Sequence, residues 1–97
     1  MDQIARVELE KAFDGAIAQV QLLLTTGMKA SDGTSASPQL EKLREELKRE
    51  RAGALERGAV DQEWIKKTVR WVVEWVPDTK LSLIAALGRI VRAKPAA

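Results

Sequence analysis

The spacing of apolar residues predicts a first helix over residues 2–25. Apolar side chains return every three or four positions there, which places them along one face of a helix. These residues are Leu9, Phe13, Ala16, Ile17, Val20 and Leu24. Gly27 follows where a C-terminal cap is expected. Gly15 lies inside the helix, where it either weakens the helix or lets a second helix approach closely.

A second helix is predicted over residues 38–57, after a small and polar loop at 28–37. Ser37 is the expected N-cap, and Pro38 suits the first helical position. The apolar stripe of this helix is narrow and consists of Leu40, Leu43 and Leu47. Charged residues fill its other faces, so we expect the helix to lie at the periphery of the fold. The loop is expected to be flexible, and a binding loop is the alternative.

The third segment, residues 61–76, carries the three tryptophans of the chain. Asp61 is a strong N-cap candidate, and Pro77 disfavours helical geometry at the residue before it. The segment has an aliphatic stripe of Ile65, Val69, Val72 and Val76. Beside it runs a stripe of Trp64, Thr68, Trp71 and Trp75. A strand is the alternative, because residues 68–76 favour sheets. The polar residues do not alternate as a strand requires, and a helix is favoured.

A fourth helix is predicted over residues 78–92, with a broad apolar face. Ala85, Ala86 and Gly88 form a patch of small residues in it, where another backbone can approach. Residues 93–97 are expected to be a frayed tail. The prediction is an all-α bundle of about four helices that forms one domain, with the first, third and fourth helices making the core.

The amino-acid composition mainly excludes certain kinds of catalytic and metal-binding chemistry. The chain has 97 residues, 45% of them hydrophobic and 31% charged, as in ordinary globular proteins. It contains no Cys and no His, which removes the thiolate nucleophile, the commonest general base and the commonest metal ligand. Asp61 and Glu63 are close in sequence, but capping explains both. We therefore expect a protein that is not an enzyme and that uses no cofactor, metal or small-molecule substrate.

Two further patterns bear on where the chain resides. The first residues lack the pattern of a secretory signal, and no stretch approaches the ~18 apolar residues of a membrane span. The fourth helix is amphipathic and ends with basic residues, as helices at membrane surfaces do, but core packing explains the same pattern. A cytoplasmic protein is expected, without membrane binding.

Nucleic-acid binding is the alternative function. The second helix carries five basic residues that could contact a phosphate backbone. They are Lys42, Arg44, Lys48, Arg49 and Arg51. Glutamates are interleaved with them, and lysine plus arginine exceeds aspartate plus glutamate only by 16 to 14 in the whole chain. The helix after the following turn presents Trp, Val and Ile instead of polar groups, so a recognition helix is not indicated.

The tryptophan stripe is the feature that best predicts a function. Two apolar stripes on one helix exceed what a small bundle needs, and Trp is enriched at protein interfaces. Burial of all three rings in the core is the alternative. We expect a non-catalytic adaptor or assembly module that self-associates or docks to a partner protein. The predicted interface residues are Trp64, Trp71, Trp75, Ala85 and Gly88.

Overall fold

The part of the chain that the structure describes is a bundle of four helices. A computed structural model describes residues 3–77 and 81–92. Its helices are α1 (Gln3–Thr26), α2 (Ser37–Arg57), α3 (Gln62–Trp75) and α4 (Leu81–Arg92). The predicted all-α class and the four helices are therefore confirmed. The predicted first turn of α4 at 78–80 and the predicted tail at 93–97 lie outside the described residues.

Capping groups fix the end of α1 and the beginning of α3. Gly27 adopts a positive φ of 72°, and the N–H groups of Gly27 and Met28 donate back to α1 carbonyls. The carboxylate of Asp61 accepts a hydrogen bond from the N–H of Trp64 at 3.2 Å, as predicted for an N-cap. The predicted N-cap at Ser37 is wrong. Ala36 occupies that position, and the Ser37 N–H donates to the Ser35 hydroxyl at 3.3 Å.

The helices form a chain of contacts in the order α2, α1, α4 and α3. α1 packs against both α2 and α4, and α4 also packs against α3. α2 and α3 are joined by a short turn and are both described in full, yet their Cα atoms never approach within 8 Å of each other. Among the described residues, three helix pairs are therefore closely packed, and α2 and α3 are consecutive helices whose backbones stay apart.

The expectation that α2 is peripheral is wrong. Its apolar stripe is fully buried and consists of Leu40, Leu43, Leu47 and Ala54. α1, which packs against both α2 and α4, buries Leu9, Phe13, Ala16, Val20 and Leu23. A narrow stripe is sufficient because α2 packs closely against only one helix. The core accordingly draws on all four helices.

The loop between α1 and α2 folds back on itself and packs onto the bundle. Lys29 and Ser35 form an antiparallel bridge, and the side chains of Met28 and Ala36 are buried. Ser31 donates from both its N–H and its hydroxyl to the Trp75 carbonyl, at 2.9 and 3.1 Å. Carbonyl groups in the last turn of a helix have no donor within the helix. The loop thus supplies hydrogen-bond donors to the C-terminal end of α3. Its flexibility stays a prediction.

Candidate interaction groove

A groove of about 230 Å³ lies between α2 and α3, where the two backbones stay apart. Both helices contribute side chains to it. The lining residues are Lys42, Glu46, Trp64, Lys67, Thr68 and Trp71. Four of them come from α3, at the spacing of three or four residues that places side chains on one face of a helix. The groove is therefore a consequence of α3 turning its aromatic stripe toward α2.

The three tryptophans occupy different environments. Trp64 and Trp71 are half-buried and line the groove, whereas Trp75 is only 8% exposed and belongs to the core. Trp64 stacks on Phe13 of α1 with ring centroids 6.4 Å apart, and Trp71 meets Trp75 edge-on at 5.2 Å. Two of the three predicted interface tryptophans thus remain available to a partner, and each is backed by a buried ring.

Packing, and not hydrogen bonding, holds the rings in place. The indole N–H groups of Trp64 and Trp75 are buried and have no hydrogen-bond acceptor among the described residues. Offset and edge-on aromatic pairs contribute about 0.5–1.5 kcal/mol beyond their buried area. The aromatic side of the groove is consequently a preformed apolar surface and not a polar pocket.

Charged groups border this apolar surface. The Lys42 ammonium lies 5.3 Å from the centroid of the Trp71 ring, within the range of a cation–π interaction. The half-buried carboxylate of Glu46 is 4.0 Å from the guanidinium of Arg49, one turn along α2. Lys67 is exposed on the α3 side. The groove thus combines two aromatic rings with ammonium groups on both of its sides.

The small-residue patch of α4 lies apart from the groove. Ala85 is exposed and Gly88 is half-buried, but all groove-lining residues come from α2 and α3. The guanidinium of Arg92 would lie 3.3 Å from a Cβ at Gly88, so an arginine already covers that glycine. The structure therefore does not join Ala85 and Gly88 with the tryptophans into one surface.

The five basic residues of α2 point in different directions. Arg51 donates to Glu10 and Asp14 of α1 at 2.8 Å each, and Arg44 donates to Gln21 at 3.1 Å. Lys42 lies at the groove and Arg49 beside Glu46. Lys48 is exposed and lies at helical spacing from Arg44 and Arg51, so it shares their side of α2 and not that of Lys42. Two of the five are thus engaged in holding α1 to α2, and the set does not form one continuous basic face.

Sequence reasoning missed three lining residues, namely Glu46, Lys67 and Thr68. Thr68 was within the aromatic stripe, and Lys67 lies one turn before Trp71, so the pattern of α3 contained a signal for both. Glu46 carried no signal, because its place depends on how α2 is oriented toward α3. Only the packing of α2 on α1 sets that orientation.

Other described features lie away from the groove. Four large apolar side chains are strongly exposed among the described residues, and none lines it: Val7, Leu22, Val73 and Leu81. In the loop, the Thr34 hydroxyl donates a hydrogen bond to the carboxylate of the exposed Asp32 and lowers its pKa, and the Thr34 N–H does the same to a smaller extent.

The described residues hold no cluster of three or more acidic side chains suited to a metal ion. None of the described helices has the length and hydropathy to cross a bilayer.

The chain was compared with protein-family models, with curated protein sequences and with solved structures. No significant match was found in any of the three comparisons. The groove therefore has to be interpreted from its own residues.

Proposed function

We propose that this protein is a non-catalytic interaction module that binds another protein, or a second copy of itself, through the groove between α2 and α3. The observation that carries the proposal is the unequal packing of α2. One of its sides is sealed against α1, while the other faces two half-buried tryptophans across the groove. Trp in a preformed apolar surface with a charged rim is typical of the centre of a protein interface.

The chemistry of the groove supports binding better than catalysis. Its lining offers two indole rings, one threonine hydroxyl, two ammonium groups and one carboxylate. Nucleophilic or acid–base catalysis requires a base within hydrogen-bond reach of the group that it activates. No hydrogen bond between the side chains of Thr68, Glu46, Lys42 and Lys67 occurs in the described structure. This arrangement supports a role for these side chains as contacts for a partner.

Site-specific photo-crosslinking tests the proposal. A photoreactive phenylalanine analogue replaces Glu46, which lines the groove, and in a control protein it replaces Glu41, an exposed glutamate of α2 outside the lining. Both variants remove one carboxylate from the same helix. We expect position 46 to give a discrete protein adduct, with purified protein or with extract of the cells that produce it, and position 41 to give none.

Sedimentation equilibrium of the purified protein separates the two versions of the proposal. Self-association predicts a mass that rises above 10.7 kDa with concentration and an adduct in purified protein alone. Docking to a partner predicts a monomer and an adduct only in the extract. Equal labelling from positions 46 and 41, or no adduct from position 46 in either setting, would contradict the proposal.

A further inference from the structure

The ammonium groups at the groove lack negative partners. Lys42 and Lys67 border it on opposite sides, and neither has a carboxylate within 4.0 Å in the described part of the chain. The single lining carboxylate, Glu46, is next to the guanidinium of Arg49. The groove lining itself therefore carries one more positive than negative charge, although Glu45 and Glu63 lie one helical turn from Lys42 and Lys67.

Lys42 is held where a ligand would meet it. Its ammonium rests over the Trp71 ring at 5.3 Å, which favours one position for a side chain that is otherwise mobile. Lys67 lies beside the tryptophan stripe of α3, one turn before Trp71. An anionic group bound between the two lysines would thus lie directly beside the indole rings.

The size of the groove limits what the rings can accommodate. Its volume of about 230 Å³ exceeds that of a cavity known to hold one benzene ring, about 150 Å³. It is smaller than the ~300–1,000 Å³ of pockets that enclose a whole small-molecule ligand. One large apolar side chain of a partner fits this space better than a cofactor does.

We infer that the groove binds an acidic segment of a partner protein, which places one large apolar side chain against Trp64 and Trp71 and a neighbouring carboxylate between Lys42 and Lys67. The inference rests on the proposed function and specifies its ligand. Apolar burial supplies most of the affinity, and the carboxylate supplies the preference for acidic partners.

Two other occupants fit less well. Single-stranded nucleic acid also combines bases that stack on aromatic rings with anionic groups, but a run of phosphates requires a continuous basic track, and the basic residues of α2 do not form one. A second copy would have to insert one of its own exposed apolar side chains. The most exposed, Leu22 and Leu81, have no acidic residue adjacent to them in the sequence. Val7 and Val73 are each followed by a glutamate, but an isopropyl group fills less of the groove than a leucine or an aromatic ring.

Nuclear magnetic resonance titration with peptides tests the inference. Ligands are selected from a displayed library of short random peptides, and each selected peptide is also synthesised with Gln or with Lys in place of its acidic residues. The three tryptophans give three indole N–H signals, which single Trp→Phe variants assign. We expect selected peptides to be acidic, to shift the Trp64 and Trp71 signals more than the Trp75 signal, and to bind about tenfold more tightly than their Gln versions.

Two matched variants isolate the charge at the groove. Lys67→Glu reverses a lining charge, and Lys66→Glu makes the same change at an exposed neighbour outside the lining. Since both side chains are exposed, both variants are expected to fold. Lys67→Glu should weaken binding of an acidic peptide by about tenfold, whereas Lys66→Glu should change it by about twofold or less.

The outcomes distinguish the ligand from the function. Peptides of any charge that bind equally well at Trp64 and Trp71 would overturn the acidic specificity but leave the interaction function standing. Self-association through the groove without peptide binding would likewise overturn the acidic specificity and leave the interaction function standing. Tighter binding of a short single-stranded oligonucleotide than of any peptide would replace the inferred ligand with nucleic acid. If no peptide, oligonucleotide or second copy shifts the Trp64 and Trp71 signals, the inference and the proposed function both fail.

Discussion

The two sides of α2 pack against their neighbouring helices in different ways. Toward α1, fully buried leucines meet a buried face, and Arg51 spans the edge to Glu10 and Asp14 at 2.8 Å each. We call this the α1–α2 seam. Toward α3, the α2–α3 seam contains Trp64 and Trp71, both half-buried, and a cation–π contact at its rim. One seam excludes water and the other leaves a groove.

The sizes of the side chains account for this difference. Both helices of the α1–α2 seam bury an alanine completely, Ala16 in α1 and Ala54 in α2, and small side chains of this kind let backbones approach closely. Helices in close contact have axes about 8–10 Å apart, depending on the side chains between them. Indole rings on α3 cannot interleave with α2 at such a distance. The indole rings of α3 thus go together with a preformed apolar groove on one side of α2, and the leucines and alanine of α2 go together with close packing on the other.

The largest expected effect comes from the α1–α2 seam. Leu47→Ala should lower the free energy of unfolding by about 2–5 kcal/mol, because it leaves a cavity at a fully buried position. Leu22→Ala, the same change at a side chain that is 55% exposed, should cost about 0.5 kcal/mol or less. Urea unfolding followed by circular dichroism measures both. Similar losses for the two variants would show that this seam is not tightly packed.

At the α2–α3 seam, a larger deletion should have a smaller effect. Trp71→Ala removes more atoms than Leu47→Ala, but the ring is half-buried, and we expect a loss of about 1–2 kcal/mol in the same urea experiment. A loss as large as that of Leu47→Ala would mean that α3 closes onto α2 in solution. The groove would then not be a standing feature of the fold.

Ion pairing should also differ between the two sides. Arg51→Ala should cost about 1 kcal/mol, since the guanidinium bridges two carboxylates and is only 30% exposed. Arg49→Ala should be nearly neutral, because its contact with Glu46 is 4.0 Å long and its side chain is 71% exposed. The cost of Arg51→Ala should shrink in high salt. A cost that does not change with salt would assign the effect of Arg51 to its hydrocarbon stem.

The smallest expected effect is a gain. A Cβ added at Gly15 would meet no atom within 4 Å, so this glycine weakens α1 and does not serve close helix approach. Gly15→Ala should raise the free energy of unfolding by about 0.5–1 kcal/mol. Thermal unfolding of the two proteins measures the gain. A loss of stability would instead show that α1 needs a glycine where it runs between α2 and α4.

Local signals in the sequence were sufficient for the elements of the fold. The periodicity of α1, the Asp61 cap and the Gly27 stop depend on residues within one or two helical turns. The position of α2 was misjudged because the width of a stripe does not tell how many neighbours a helix has. Leu40, Leu43, Leu47 and Ala54 are completely buried although α2 packs closely against α1 alone.

The candidate site was only partly predictable for a related reason. Trp64, Trp71 and Trp75 share one stripe. Periodicity tells on which face of the helix a residue lies, but not which other elements pack against that face at each turn. Trp75 is buried at the end where Ser31 of the loop contacts its carbonyl, while Trp71 faces Lys42. Those neighbours depend on the loop and on α2, which no local pattern relates to α3.

Side-chain footprinting with hydroxyl radicals tests the open α2–α3 seam most directly. Oxidation of each tryptophan is followed by mass spectrometry, with the fully buried Leu43 and Leu47 as references for a closed seam. We predict that Trp64 and Trp71 react faster than Trp75, and that the two leucines stay protected. Protection of Trp64 and Trp71 equal to that of Trp75 in the monomer would contradict an open groove between α2 and α3.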